Sequence, residues 1–155
     1  MTVFKIVPFG QQDDYAVRLR SLVSAALEIA IYADFEADPI DVSPLPSWFV
    51  RELKKGNHAD REALLGRDRY LQCRSNEPVW GVQEWISCFD PRLRRWEWWD
   101  LTQENRSVSL WVNTKSELAV PVEELWWAMF ISGARGIEGP FMRSDSEWRA
   151  RQSIP

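Results

Sequence analysis

The sequence predicts an α+β fold: a single two-layer domain over residues 1–155, with a small, largely antiparallel sheet of three or four strands and helices on one face. Three observations carry this. Val108, Leu110 and Val112 alternate with Ser107, Ser109, Trp111 and Asn113, the period of two expected of a half-buried strand. Tyr15, Leu19, Leu22, Ala26, Ile29 and Ala33 keep helical spacing over about five turns. Val122, Leu125, Trp126, Met129 and Phe130 mark one helix face, and Trp127, Ile131 and Ala134 add a second apolar stripe. The chain of 155 residues is long enough for one real core and too short for two comfortable ones.

Taken in order, Thr2–Phe9 reads as a strand ending at Pro8. Gly10 turns the chain, and Asp13 or Asp14 is placed to cap the long helix, whose stripe Val23, Leu27 and Ala30 widen. Residues 33–46, ADFEADPIDVSPLP, hold four acids and three prolines; proline lacks a donor and restricts its predecessor, so this is an exposed, locally stiff loop. Ser47 is a cap for a short helix from Trp48 to Lys55, ended by Gly56. A charged helix over Asp60–Leu71 is expected to turn Leu64, Leu65 and Leu71 inwards, with Gly66 as a possible break.

Asn76–Phe89 is compatible with helix or strand. Helix is preferred because Pro78 suits an entry and Val79, Val82, Ile86 and Phe89 share one face; Asp90-Pro91 stops it. Arg92, Arg94 and Arg95 form a basic turn. Trp96–Leu101 is a strand expected to pair as a hairpin with the strand at 107–113 after a turn over Gln103–Arg106. Pro121 is placed at the first position of the apolar helix, with Glu123 and Glu124 at its positive end; Gly133 and Gly136 supply left-handed exits. Gly136–Met142 is a last strand, and Ser144-x-x-Glu147 is a capping box opening a short helix that contains Trp148.

Composition narrows the chemistry. A net charge of −4 argues against a nucleic-acid binder, whose affinity rests on cations neutralising phosphates. No run approaches the length of a membrane span, and MTVFKIVPFGQQDD has no basic start followed by a long apolar stretch, so a cytoplasmic protein with reduced Cys73 and Cys88 is expected. His58 is the single histidine and no Cys-x-x-Cys occurs, so no zinc is expected. Asp34-x-Glu36-x-Asp38 lacks the glycine and final glutamate of a calcium loop, its sixth and twelfth positions being Pro39 and Leu45. A Cys–His nucleophile would need His58 with Cys73 or Cys88. No nucleophile elbow, phosphate loop or dinucleotide fingerprint occurs, so neither a cofactor nor a catalytic residue is assigned.

What remains is surface and aromatics. Residues 11–41 hold seven acids against two arginines, while 49–75 hold seven bases against four acids. Asp34, Glu36, Asp38 and Asp41, followed by Trp48, form an acidic patch around an aromatic anchor, suited to steering and holding a basic protein. Glu97 and Asp100, among Trp96, Trp98 and Trp99, form a second acidic patch. The same cluster is the basis of an alternative reading as a small carbohydrate-active enzyme or glycan-binding module. A further alternative is a structural subunit whose Trp126/Trp127 helix packs on a copy of itself. Oligomeric state is not readable from the sequence.

Two segments, WGVQEWISCFDPRLRRWEWWDL and VSLWVNTKSELAVPVEELWWAMFISGARGIEGP, resemble in character the small, acidic, tryptophan-rich immunity proteins that bacteria make against their own toxins. The resemblance implies a non-catalytic cytoplasmic inhibitor that masks a cognate toxin. Nuclease toxins, which are often basic, would complement an acidic patch. No functional residue is carried over by position.

Overall fold

A computed structural model describes residues 1–52, 60–77, 79–115, 117 and 119–153. Strand β1 (Thr2–Pro8) is followed by helix α1 (Gln12–Tyr32), the short helix α2 (Ser47–Glu52), α3 (Arg61–Cys73) and α4 (Val82–Ser87). Strands β2 (Glu97–Glu104) and β3 (Ser107–Asn113) lead to α5 (Glu123–Ile131), β4 (Ala134–Met142), α6 (Asp145–Arg149) and the two-residue β5 (Gln152–Ser153). The strands run in the order β4-β1-β3-β2-β5, every pairing antiparallel, so the fold is the small α+β domain that the periodicities predict.

β2 and β3 form the expected hairpin. Glu104 faces Ser107 across a two-residue turn in which Asn105 takes φ 53°, a left-handed conformation asparagine tolerates. β2 runs to Glu104, further than expected, because its ladder with β3 continues to the turn. Trp98 pairs with Val112 and Asp100 with Trp111, so Trp99 is the extra residue of a bulge. The bulge resets the alternation: Trp96 is buried, and Trp99 turns out to stack edge-on with Trp148, ring centroids 5.5 Å apart.

One sheet face carries Phe4, Ile6, Leu101, Val108, Leu110 and Val112 into the main core, against α1 and α5. The α1 stripe is buried as its spacing demands, and Tyr15 donates its hydroxyl to the Met129 carbonyl (3.0 Å). Neither Asp13 nor Asp14 caps this helix; both sit in its first turn, where the helix dipole favours them, and Gln11 holds the cap position. Likewise α5 starts at Glu123 with Val122 at its cap, two positions later than Pro121 suggests. The α5 residues Leu125, Trp127, Ala128, Met129, Phe130 and Ile131 are all buried. Trp126, half-buried, lies edge-on to Phe4 under the Arg74 guanidinium, 4.8 Å away. Trp127 is thus enclosed by its own chain, and Trp126 is partly covered.

The helix at 61–73 departs most from expectation. Leu64, Leu65 and Leu71 are exposed, and the inward residues are Ala63, Gly66 and Tyr70. Gly66 does not break α3. It lets α3 lie against α5 so closely that a Cβ there would sit 1.7 Å from the Phe130 carbonyl oxygen. Asp60 caps α3 by accepting from Ala63 N (3.0 Å). Gly133 ends α5 at φ +110°, whereas Gly136 has no positive φ and lies within β4.

Of the expected helix over 48–55, only its start falls among the described residues, as do no parts of Gly56 and His58; Ser47 is its first residue, with Oγ accepting from Arg51 (3.0 Å). The helix over 76–89 shortens to α4, capped by Gly81 with Glu84 returning to the Gly81 N–H (3.1 Å); Pro78 lies outside the described residues. The Ser144–Glu147 capping box forms as read. It sets α6 on the sheet face opposite the main core, where Arg151 lies over Trp111 and pairs with Glu104.

Candidate functional site

The acidic loop is held from below while its carboxylates stay in water. Ile40 and Leu45 are buried, and Phe35 and Val42 pack on the core. Gln83 of α4 grips the Ile40 backbone from both sides, accepting from its N–H (2.9 Å) and donating to its carbonyl (3.0 Å). Asp34 accepts from Glu36 N (2.9 Å) and Asp41 from Ser43 N (2.9 Å), so each side chain bends the chain locally. The bonds from the Ser43 backbone and hydroxyl hold the Asp41 carboxyl below its ordinary range. Glu36 pairs with Arg92 (3.1 Å), which Asp90 also binds (2.8 Å); Asp34, Glu36, Asp38 and Asp41 are all exposed.

Trp48, read as the aromatic anchor of this patch, is largely covered by its own chain. It is half-buried, edge-on to Phe49, and the Arg18 guanidinium covers its ring at 4.0 Å. Asp60 fixes that guanidinium with two bonds (3.0 and 2.7 Å). The exposed aromatic is Tyr32, 82% accessible, with Ile31 at 72%, in the last turn of α1 directly before the loop. A crevice of about 180 Å³ lies between Tyr32, Glu28, Asp41 and Pro44, joining the end of α1 to the loop. Their signal was in the sequence: Ile31 and Tyr32 fall outside the inward stripe of an otherwise well-patterned helix.

Glu97 and Asp100 do not join this patch through any described contact. Glu97 pairs with Lys115 (3.5 Å) and accepts from Asn113 (3.3 Å). Asp100 accepts from Trp148 Nε1 (2.8 Å), beneath α6 on the sheet face away from the main core. Trp96 is buried and Trp98 half-buried in the core, so these tryptophans do not line up as a platform on which a sugar could stack. Of the ten tryptophans, Trp99 alone is exposed; the other nine are buried or half-buried.

A second concavity, about 420 Å³, opens beside the start of α5, among Trp80, Cys88, Leu93, Arg94, Pro121, Glu123 and Glu124. Glu124 is buried; its carboxylate accepts from Trp96 Nε1 and its carbonyl from Trp85 Nε1 (2.9 Å). Burial raises the Glu124 carboxyl above its ordinary value, against the opposing bond from Trp96. Burial, with Glu124 nearby, pushes the Cys88 thiol up to about 11, the reverse of what a nucleophile requires. His58, the histidine a Cys–His pair would need, lies outside the described residues.

Among the described residues, no group of three or more His, Cys, Asp or Glu side chains is disposed to hold a metal ion, and no helix is long and apolar enough to cross a membrane. No protein-family model, curated protein or solved structure matches the chain.

Proposed function

We propose that this protein is a non-catalytic inhibitor of the immunity type, binding a basic cognate toxin through residues 31–44. The observation that carries the reading is the pairing of a clamped backbone with solvent-exposed carboxylates: Gln83 and the buried Ile40 and Leu45 fix the loop, while Asp34, Asp38 and Asp41 face solvent beside exposed Tyr32 and Ile31. A loop already in its bound shape loses little conformational entropy on association. The carboxylates speed encounter with a basic surface, and Tyr32 supplies the aromatic contact around which binding energy concentrates. Such a surface inhibits by covering a basic substrate groove. A nuclease toxin fits because its groove must attract phosphate.

The test is capture of the partner from native lysate, followed by assay of its activity with and without this protein. Wild type should suppress that activity stoichiometrically. Reversing Asp34, Asp38 and Asp41 together to lysine should slow association by about 10-fold or more at low salt. Tyr32→Ala should speed dissociation, at a cost of about 2 kcal/mol. Unchanged kinetics in both variants would remove this surface as the interface.

A further inference from the structure

The 420 Å³ cleft beside α5 holds opposite charges within one small volume, and the protein itself leaves them incompletely matched. Arg94 lies over the Trp96 ring (5.2 Å), and no described residue gives its buried Nη1 an acceptor. An unmatched buried donor is costly, so it calls for an explanation. Glu123 and Glu124 also line the cleft, Glu124 buried and close enough to Arg94 for their charges to attract. Trp80, Leu93 and Pro121 add apolar surface, and Arg95 and Glu77, the latter paired with Arg74 (3.7 Å), bring a further charge of each sign to the lining. Trp80 is oriented by its own bond from Nε1 to the Tyr70 hydroxyl (3.3 Å).

Simple ligands fit only part of this. A phosphate would meet Arg94 but also the two glutamates. A lone ammonium or guanidinium would meet the glutamates but also Arg94. A purely apolar ligand would leave the charges bare. A small zwitterion with an apolar group matches all three regions, and the volume is in the range of small-molecule sites.

We propose that this cleft binds a free α-amino acid with an aliphatic or aromatic side chain. Its carboxylate lies on the Arg94 guanidinium, its ammonium on Glu123 and Glu124, and its side chain against Trp80, Leu93 and Pro121. This site is separate from the Tyr32 surface, so neither proposal depends on the other.

The test is titration of the whole protein with L-leucine and with L-phenylalanine into the millimolar range, following the indole N–H resonances of Trp80 and Trp96 by NMR. Both signals should move and saturate. N-acetyl-L-phenylalanine, which lacks the ammonium, and L-phenylalaninamide, which lacks the carboxylate, should bind roughly tenfold more weakly or worse. Glu123→Gln and Arg94→Gln should each weaken binding by at least about tenfold. Glu123 is only partly buried and bonds no described residue, so its variant keeps the test decisive if Arg94→Gln fails to fold. Still resonances with both amino acids, binding of either blocked compound as tight as that of L-phenylalanine, or saturation unaffected by Glu123→Gln would each overturn the proposal.

Discussion

At the scale of single residues, Gly66 and Glu124 make the sharpest predictions. The Phe130 carbonyl that a Gly66 side chain would strike belongs to backbone, which cannot rotate aside. Gly66→Ala should therefore cost about 3 kcal/mol or more, or prevent folding, as read by urea denaturation. Nothing in the local sequence distinguishes such a glycine from a helix breaker, because the contact lies 64 residues away along the chain. Glu124 was legible as a helix-start acid, but its burial was not. Its folded-state pKa lies above the unfolded one, so its contribution to stability is full below the unfolded value and is lost as pH rises through the folded value. Glu124→Gln keeps an acceptor for Trp96 and removes that loss. Measured against wild type, it should gain relative stability between about pH 4 and pH 7. Glu124→Ala, which strands the Trp96 N–H, should instead cost about 1–3 kcal/mol at either pH.

At the scale of elements, the instructive cases are the ends of α1 and β2. Period and capping chemistry are local, so α1, the β2–β3 hairpin and the Ser144 capping box follow from short stretches of sequence. What covers each element is not local. Trp48 and Tyr32 sit on similarly plausible stretches, yet Arg18 reaches across to seal the first, and no described side chain seals the second. The short α6 has no buried residue of its own and is held through Trp148, which meets Trp99 edge-on and donates to Asp100. Trp148→Ala should cost about 1–2 kcal/mol and shift tryptophan emission to the red as Trp99 gains water, while far-ultraviolet dichroism stays close to wild type. Loss of global secondary structure instead would show that α6 supports the main core.

At the scale of the whole molecule, the first strand lies in the interior of the sheet, second from its β4 edge. β1 pairs with β3, about a hundred residues later, and with β4, later still. The sheet cannot close until most of the chain is present, and α1, α5 and the strands share one apolar cluster. Unfolding followed by tryptophan fluorescence and by far-ultraviolet dichroism should therefore give coincident urea transitions. Two separated transitions would show that α1–α4 and the sheet are independent units.

The sequence by itself determined the α+β class, most element positions and the acidic character of residues 33–46, because side-chain period, turn chemistry and charge are properties of neighbouring residues. Only the tertiary structure decided the strand order, the contact of α3 with α5 at Gly66, the separation of Glu97 and Asp100 from the acidic loop, the replacement of Trp48 by Tyr32 as the exposed aromatic, and the meeting of Arg94 with Glu124. Each of these depends on which distant surface excludes water from a residue, and that is set when the apolar faces pack together.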